Sequence, residues 1–413
     1  MAGRKLQAPR GTFDVLPDDG AARRELYRRA GSVLGRYGYR PFETPVFEDT
    51  DLFARGVGES TDIVRKEMFT FEDRGGRSLT LRPEGTAGVC RAYVEHGMHK
   101  LPQPVKVWYW GPFFRHERAQ AGRYRQFSQV GTEALGSDDP TLDAESILLL
   151  AELLEAAGVR EVRLRLASLG GIEARAAYLD RLRGFLRERE GELSEDVRDR
   201  IDSNPLRAFD ADHPGTRAAM EGAPRLLDHL APDDAEHFAE VRALLDGAGL
   251  SYDVDPTLVR GLDYYTRTVF EFESARLGAQ SGVGGGGRYD GLVEQLGGPA
   301  TPGVGWAAGI ERILLAGDGK LGGFPAPVYV ALAGGDRRAA FALATALREA
   351  GVRTELEQAG RSLKGQLKHA DRLGAKAVAI VGEEIEWKDM ATGEQRPVNN
   401  VAEAVRIAVG LDA

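Results

Sequence analysis

Two strand-like stretches, Val105 to Phe114 and Tyr124 to Leu135, flank the segment AQAGR, which contains Gly122. Parallel neighbours need a crossover of about a dozen residues or more, so a connection this short returns the chain as a hairpin. An antiparallel sheet is therefore expected at the centre of the chain. Alternate residues of an uninterrupted strand share a face. The odd-numbered Arg115, Glu117, Gln129 and Glu133 are expected to collect on one side of this hairpin, either as a polar site or as a solvated outer face.

The surrounding pattern is mixed α/β. A helix is expected over 21–37, where Leu26, Ala30, Val33, Leu34 and Tyr37 recur at helical spacing before Gly38, and a second over 143–157 before Gly158. Charge-rich helical segments fill 171–252, read as an inserted subdomain. A strand follows over 266–273, then a glycine-rich loop, SGVGGGGRYDG, and a helix over 305–315. Gly317, Gly319, Gly322, Gly323, Pro325 and Pro327 mark a linker. Beyond it VYVAL, a helix over 337–350, VRTELE, a helix over 363–373, AVAIVG and a final amphipathic helix alternate as in a small α/β domain. The expected units are a core from 1–170 and 253–320, an insertion over 171–252, and a C-terminal domain over 325–413.

Composition narrows the functional classes. A chain of 413 residues, 42% of them hydrophobic, suits two or three packed domains. No run approaches the roughly 18 apolar residues of a membrane span, and the N-terminus lacks the apolar run of a signal peptide, so a cytoplasmic location is expected. Cys90 is the only cysteine, which rules out an intramolecular disulfide and a cysteine-based metal cluster. A net charge of -9 repels a polyanion at long range, so any RNA contact is expected to be local. Residues 325–413 hold 12 Lys and Arg against 12 Asp and Glu, a neutral module on an acidic chain.

Five segments carry candidate chemistry. Arg115 and Arg123 can pair phosphate oxygens in bidentate fashion, as a reaction joining a carboxylate to an ATP α-phosphate requires, because two anions must meet. LVRGLDYYTRTVFEF sets Arg260 and Asp263 beside Tyr264 and Tyr265, which suits a polar ligand or a surface ion pair. In RPEGT, Glu84 precedes Gly85 and Thr86, where it can accept from an ammonium group or cap a helix. Gly282, Gly284 and Gly287 match the spacing of a dinucleotide fingerprint, but no buried strand precedes them and no long helix follows, which excludes that use. In PGVGWAAGIERILL, small residues let a strand and helix pack closely and present Arg312.

With these residues in view, the chain resembles the histidyl-tRNA synthetases of the class II type over nearly its whole length. FETPVFEDTDLF with helix 21–37 is similar to the first class motif, FRHERAQAGRYRQF to the second and PGVGWAAGIERILL to the third. RGLDYYTRT and GGGGRYDG resemble the two segments peculiar to the histidine enzymes. The resemblance implies an antiparallel-sheet catalytic core with a helical insertion and a C-terminal α/β anticodon-binding domain that includes GRSLKGQLKHADRLGA. It implies that Arg115 and Arg260 are catalytic, Arg260 bridging the substrate carboxylate and α-phosphate. Arg115, Glu117, Arg123 and Arg312 would bind ATP. Glu84, Gly85, Thr86, Gln129, Glu133, Tyr264 and Tyr265 would bind L-histidine, with Glu133 and Tyr265 on the imidazole. It further implies tRNA(His) as partner, a homodimer, and Mg2+ on the outer phosphates of ATP without assigned protein ligands. The alternative is a synthetase-like regulatory subunit of ATP phosphoribosyltransferase, which shares the core but normally lacks the C-terminal domain present here.

Overall fold

In chain order the first eleven strands are β1 (Arg40–Pro41), β2 (Phe47–Asp49), β3 (Phe69–Glu72), β4 (Ser78–Leu81), β5 (Val105–Phe114), β6 (Gln126–Leu135), β7 (Val162–Ser168), β8 (Asp253–Val254), β9 (Thr266–Ser274), β10 (Gly282–Arg288) and β11 (Gly303–Gly309). They belong to a computed structural model that describes residues 6–58, 61–118, 120, 122–278, 281–334 and 336–410. The connection AQAGR includes Ala119 and Ala121, and SARLGAQS includes Ala279 and Gln280; these four lie outside the described residues, as do 1–5 and 411–413.

Eight strands form one sheet in the order β1-β5-β6-β11-β10-β9-β7-β8, antiparallel except at its two edge pairs. The hairpin sits inside it, with Val107 opposite Glu133 and Gly111 opposite Gln129. Period-two alternation gives the sheet two different faces. Val130, Ala134, Phe270, Phe272, Val304 and Trp306 bury the even-numbered face, while Tyr109, Val269 and Leu135 lie on the other. Helix Pro140–Ala156 packs on the even face through Ile147, Leu150, Leu153 and Leu154. Each such side chain contributes roughly 1.5–3 kcal/mol when fully buried. That outweighs the cap that Asp139 makes to the Thr141 N–H, worth about 1 kcal/mol. A separate antiparallel sheet, β2-β4-β3, carries Phe47 and Phe71 on an exposed face.

The charge-rich stretch 171–252 does not form a core of its own. Tyr178, Leu182 and Leu186 of helix Ile172–Glu188 join the cluster that contains Tyr109 and Tyr289. Phe238, Val241 and Leu245 of helix Pro232–Gly247 join Leu150 and Trp306 on the opposite face. A buried ionic network ties this second helix down. Asp143 accepts from His237 at 2.8 Å and pairs with Arg288 Nε at 2.7 Å, and Arg288 continues to Asp290 at 3.0 Å.

Three boundaries differ from the sequence expectation. The glycine run is not a loop but the interior strand β10, paired on both sides. Glycine is needed there because a Cβ on Gly286 would lie 1.9 Å from the carbonyl oxygen of Gly305 on β11. Residues 303–309 are strand as well, and the helix begins only at Ile310. Arg115 and Glu117 follow the end of β5 in irregular backbone, so strand parity does not place them; it does place Gln129 and Glu133.

Residues 323–413 form a second compact unit. Its strands are β12 (Val328–Leu332), β13 (Thr354–Leu356), β14 (Ala377–Val381), β15 (Ile385–Asp389) and β16 (Gln395–Val398), ordered β13-β12-β14-β15-β16. The pairs of β12 with β13 and β14 are parallel and the remaining two antiparallel. Val328 and Val330 pack with helices Arg337–Glu349 and Val401–Ala408, while Tyr329 and Ala331 pack with helix Leu363–Arg372. A parallel centre buried on both faces explains the continuous apolar runs VYVAL and AVAIV. The hairpin β15–β16 had no counterpart in the sequence reading. No helix among the described residues is long and apolar enough to cross a membrane.

Candidate active site

The odd face of the sheet holds a cleft of about 550 Å³, lined by Arg115, Glu117, Arg123, Gln129, Arg260 and Arg312 among others. Six of the expected site residues therefore meet in one cavity. Glu117 stands between two cations, 3.3 Å from Arg123 and 4.0 Å from Arg115. Arg115 donates through Nε to the carbonyl of Pro83, which ties the residue following β5 to the RPEGT turn. Arg312 reaches from helix Ile310–Ala316 and donates to the carbonyls of Gly282 and Gly122. Gln129 projects from β6 with its Oε1 buried and without a hydrogen-bond partner, an acceptor waiting for a donor. Nε of Arg260 is likewise buried and unpartnered.

The other expected residues form a closed cluster. Glu133, fully buried on β6, accepts from Thr86 Oγ1 at 2.7 Å, from Tyr109 Oη at 3.3 Å and from Tyr289 Oη at 2.5 Å. Burial pushes its carboxyl up to about 8, against the opposing pull of the Tyr289 and Thr86 hydroxyls. Glu84 caps helix Thr86–Glu95 by accepting from the backbone N–H groups of Thr86 and Ala87. Tyr264 donates to the same carboxylate at 3.4 Å. Glu84 is thus a helix cap, and capping leaves carboxylate lone pairs over. Burial also raises Glu84 above its ordinary value. The rings of Tyr264 and Tyr265 lie 4.8 Å apart, and Arg175 from the helical segment donates to the Tyr265 carbonyl. Gly85 packs under Tyr109, where an added Cβ would sit 2.4 Å from the ring.

Four further residues belong to this site. Tyr109 shares the parity of Gln129 and Glu133 across the hairpin, a signal that was legible. Tyr289 lies within GGGGRYDG, just after β10, where no local spacing links it to Glu133. Glu271 shows the same alternation on β9, and Asp210, a residue of the helical segment, lines the cleft with no local signal at all.

An antiparallel sheet with arginines arrayed over one face, beside a buried carboxyl ringed by hydroxyls, agrees with the class II aminoacyl-tRNA synthetase core that the resemblance of the motifs implies. Residues 11–313 match the family model described as histidyl-tRNA synthetase, and residues 328–406 match that of an anticodon binding domain. A histidine–tRNA ligase of Rubrobacter xylanophilus is 50% identical over 412 residues, covering 95% of this chain and 96% of that protein. A second, of Desulforamulus reducens, is 48% identical over 95% and 96%. The crystal structure of apo histidyl-tRNA synthetase from S. aureus superposes with a TM-score of 0.82 at 36% identity, covering 98% of this chain and 100% of that one. The chain belongs to the histidyl-tRNA synthetase family. A Bacillus halodurans structure titled as an ATP phosphoribosyltransferase regulatory subunit/histidyl-tRNA synthetase has a TM-score of 0.67 at 23% identity, a likeness of fold alone.

Proposed function

We propose that this chain is a histidine–tRNA ligase. It activates L-histidine with ATP to histidyl-adenylate and pyrophosphate, then transfers histidine to the 3′ end of tRNA(His). The observation that carries this reading is the adjacency of two environments: an arginine-lined cleft suited to phosphates, and the buried Glu133 with its hydroxyl partners.

Activation requires a carboxylate oxygen to attack the α-phosphate while pyrophosphate leaves, so negative charge must be met by fixed donors. Arg115 takes the α-phosphate, Arg123 and Arg312 hold the remaining phosphates, and Glu117 lies near the adenine. Arg260 bridges the histidine carboxylate and the α-phosphate. Gln129, through its unpartnered Oε1, binds the ammonium group together with Glu84 and Thr86 at the Gly85 turn. Glu133 and Tyr265 hydrogen-bond the imidazole, with Tyr264 packed alongside. A neutral imidazole offers one donor and one acceptor, and a wrong side chain would leave these buried partners unpaired. Mg2+ accompanies ATP on its outer phosphates, with no protein ligands assigned to it.

Residues 325–413 contact the tRNA anticodon, and residues 171–252 form the insertion between the two core segments, 1–170 and 253–320. The chain works as a cytoplasmic homodimer; exposed Phe47 and Phe71, ring centroids 6.2 Å apart, supply an apolar face suited to self-association. The test is ATP–pyrophosphate exchange against all standard amino acids. Stimulation by histidine alone is expected, and Arg260→Ala should lose on the order of 10²-fold or more of it. No stimulation by any amino acid would favour a regulatory binding protein.

A further inference from the structure

Glu271 is an anion in a cleft built for anions. Along β9 the buried Phe270 and Phe272 face the core, while Glu271 and Glu273 face the cleft. A carboxylate there repels both ATP and the histidine carboxylate, so it weakens ground-state binding. What it touches is Arg260, whose Nη1 lies 3.0 Å from Glu271 Oε1. The glycine strand makes room for this pair. A Cβ on Gly282 would lie 2.6 Å from Glu271 Oε1, and one on Gly285 3.1 Å from Arg260 Nη1. Glu271 is steadied from the other side by Arg165, 3.9 Å away, which also pairs with Glu273 at 3.0 Å and Asp255 at 2.7 Å. Arg260 is thus gripped through one Nη, and its buried Nε has no partner.

We infer that Glu271 is a positioning residue for the activation step, holding Arg260 by one edge in the orientation that meets the carboxylate–phosphate junction. The inference rests on the reading of Arg260 given above. An arginine free to rotate must be ordered as the transition state forms, which adds to the barrier; one already held by an ion pair does not. The same carboxylate reduces the attraction of the cleft for the substrate anions. Orientation therefore acts on kcat, while the lost attraction acts on KM for ATP, and removal of Glu271 lowers kcat without weakening ATP binding.

Glu271→Ala, Glu271→Gln, Arg260→Ala and the double variant Arg260→Ala/Glu271→Ala are compared in the full chain by histidine-dependent ATP–pyrophosphate exchange. Residual rates are read by single-turnover adenylate formation, with melting temperatures alongside. Glu271→Ala is expected to lower kcat on the order of 10²-fold without raising KM for ATP. Glu271→Gln keeps an acceptor for Nη1 but loses the charge, and a smaller loss of roughly fivefold in kcat is expected. In the Arg260→Ala background, Glu271→Ala should leave kcat unchanged, because no guanidinium is left to orient. A normal kcat in either single Glu271 variant overturns the inference, as does the same fractional loss with and without Arg260. Should the alanine variant fail to fold, the same-sized Glu271→Gln decides the matter through its kcat and KM. Failure of the Arg260 reading is a separate outcome, seen as normal exchange in Arg260→Ala itself.

Discussion

Glu133 shows how one side chain couples folding to pH. Its carboxyl is raised from 4.5 to about 8, chiefly by burial, with Thr86, Tyr109 and Tyr289 hydroxyls around it. Between those two values the folded chain keeps a proton that the unfolded chain has lost. Stability contributed by this group is therefore complete below pH 4.5 and falls as the pH rises through about 8. Glu133→Gln, which cannot titrate, should become progressively more stable relative to the parent between pH 5 and pH 8. Parallel denaturation curves at the two pH values check this, and a stability difference independent of pH would contradict the raised value. The presence of Glu133 in a polar set was legible from strand parity. Its partner Tyr289 was not, because the two are 156 positions apart in sequence and meet only across β6, β11 and β10.

At the scale of elements, the glycine strand carries the most consequence. β10 lies between β9 and β11, with Gly286 opposite Phe270 on one side and Trp306 on the other. Gly286→Ala would place a methyl 1.9 Å from the Gly305 oxygen and 2.6 Å from the Trp306 Cα. These are backbone atoms that cannot swing aside. A loss above the usual range for overpacking, about 3 kcal/mol or more, or failure to fold is expected. Chemical denaturation measures it, and an unchanged midpoint would place that strand elsewhere. The run is an interior strand rather than the loop expected from its glycines, and it opens no βαβ unit of the kind a dinucleotide fingerprint needs. Glycine has low strand propensity, so only the need for close approach, a property of the neighbouring strands, explains its presence. The long helices were legible because their apolar spacing is local; helix Pro17–Arg36 buries Leu26, Ala30, Val33 and Leu34 as that spacing requires.

For the molecule as a whole, the two compact units have separate cores, which makes their contributions separable. Removal of residues 323–413 should weaken tRNA charging by a much larger factor than histidine-dependent pyrophosphate exchange. Equal losses in both assays would show that the core depends on the second unit. Sequence alone determined the antiparallel hairpin, the change of pattern after the 317–327 linker and the arginine-bearing segments, because each is written in spacing over a few residues. Only the tertiary structure decided that helix Pro232–Gly247 serves the main core, that Tyr109 and Tyr289 close around Glu133, and that Arg260 is held by Glu271. Those pairings depend on which strands become neighbours. Sheet order is set by the burial of whole faces at once, and no local pattern in the hairpin or the glycine run encodes it.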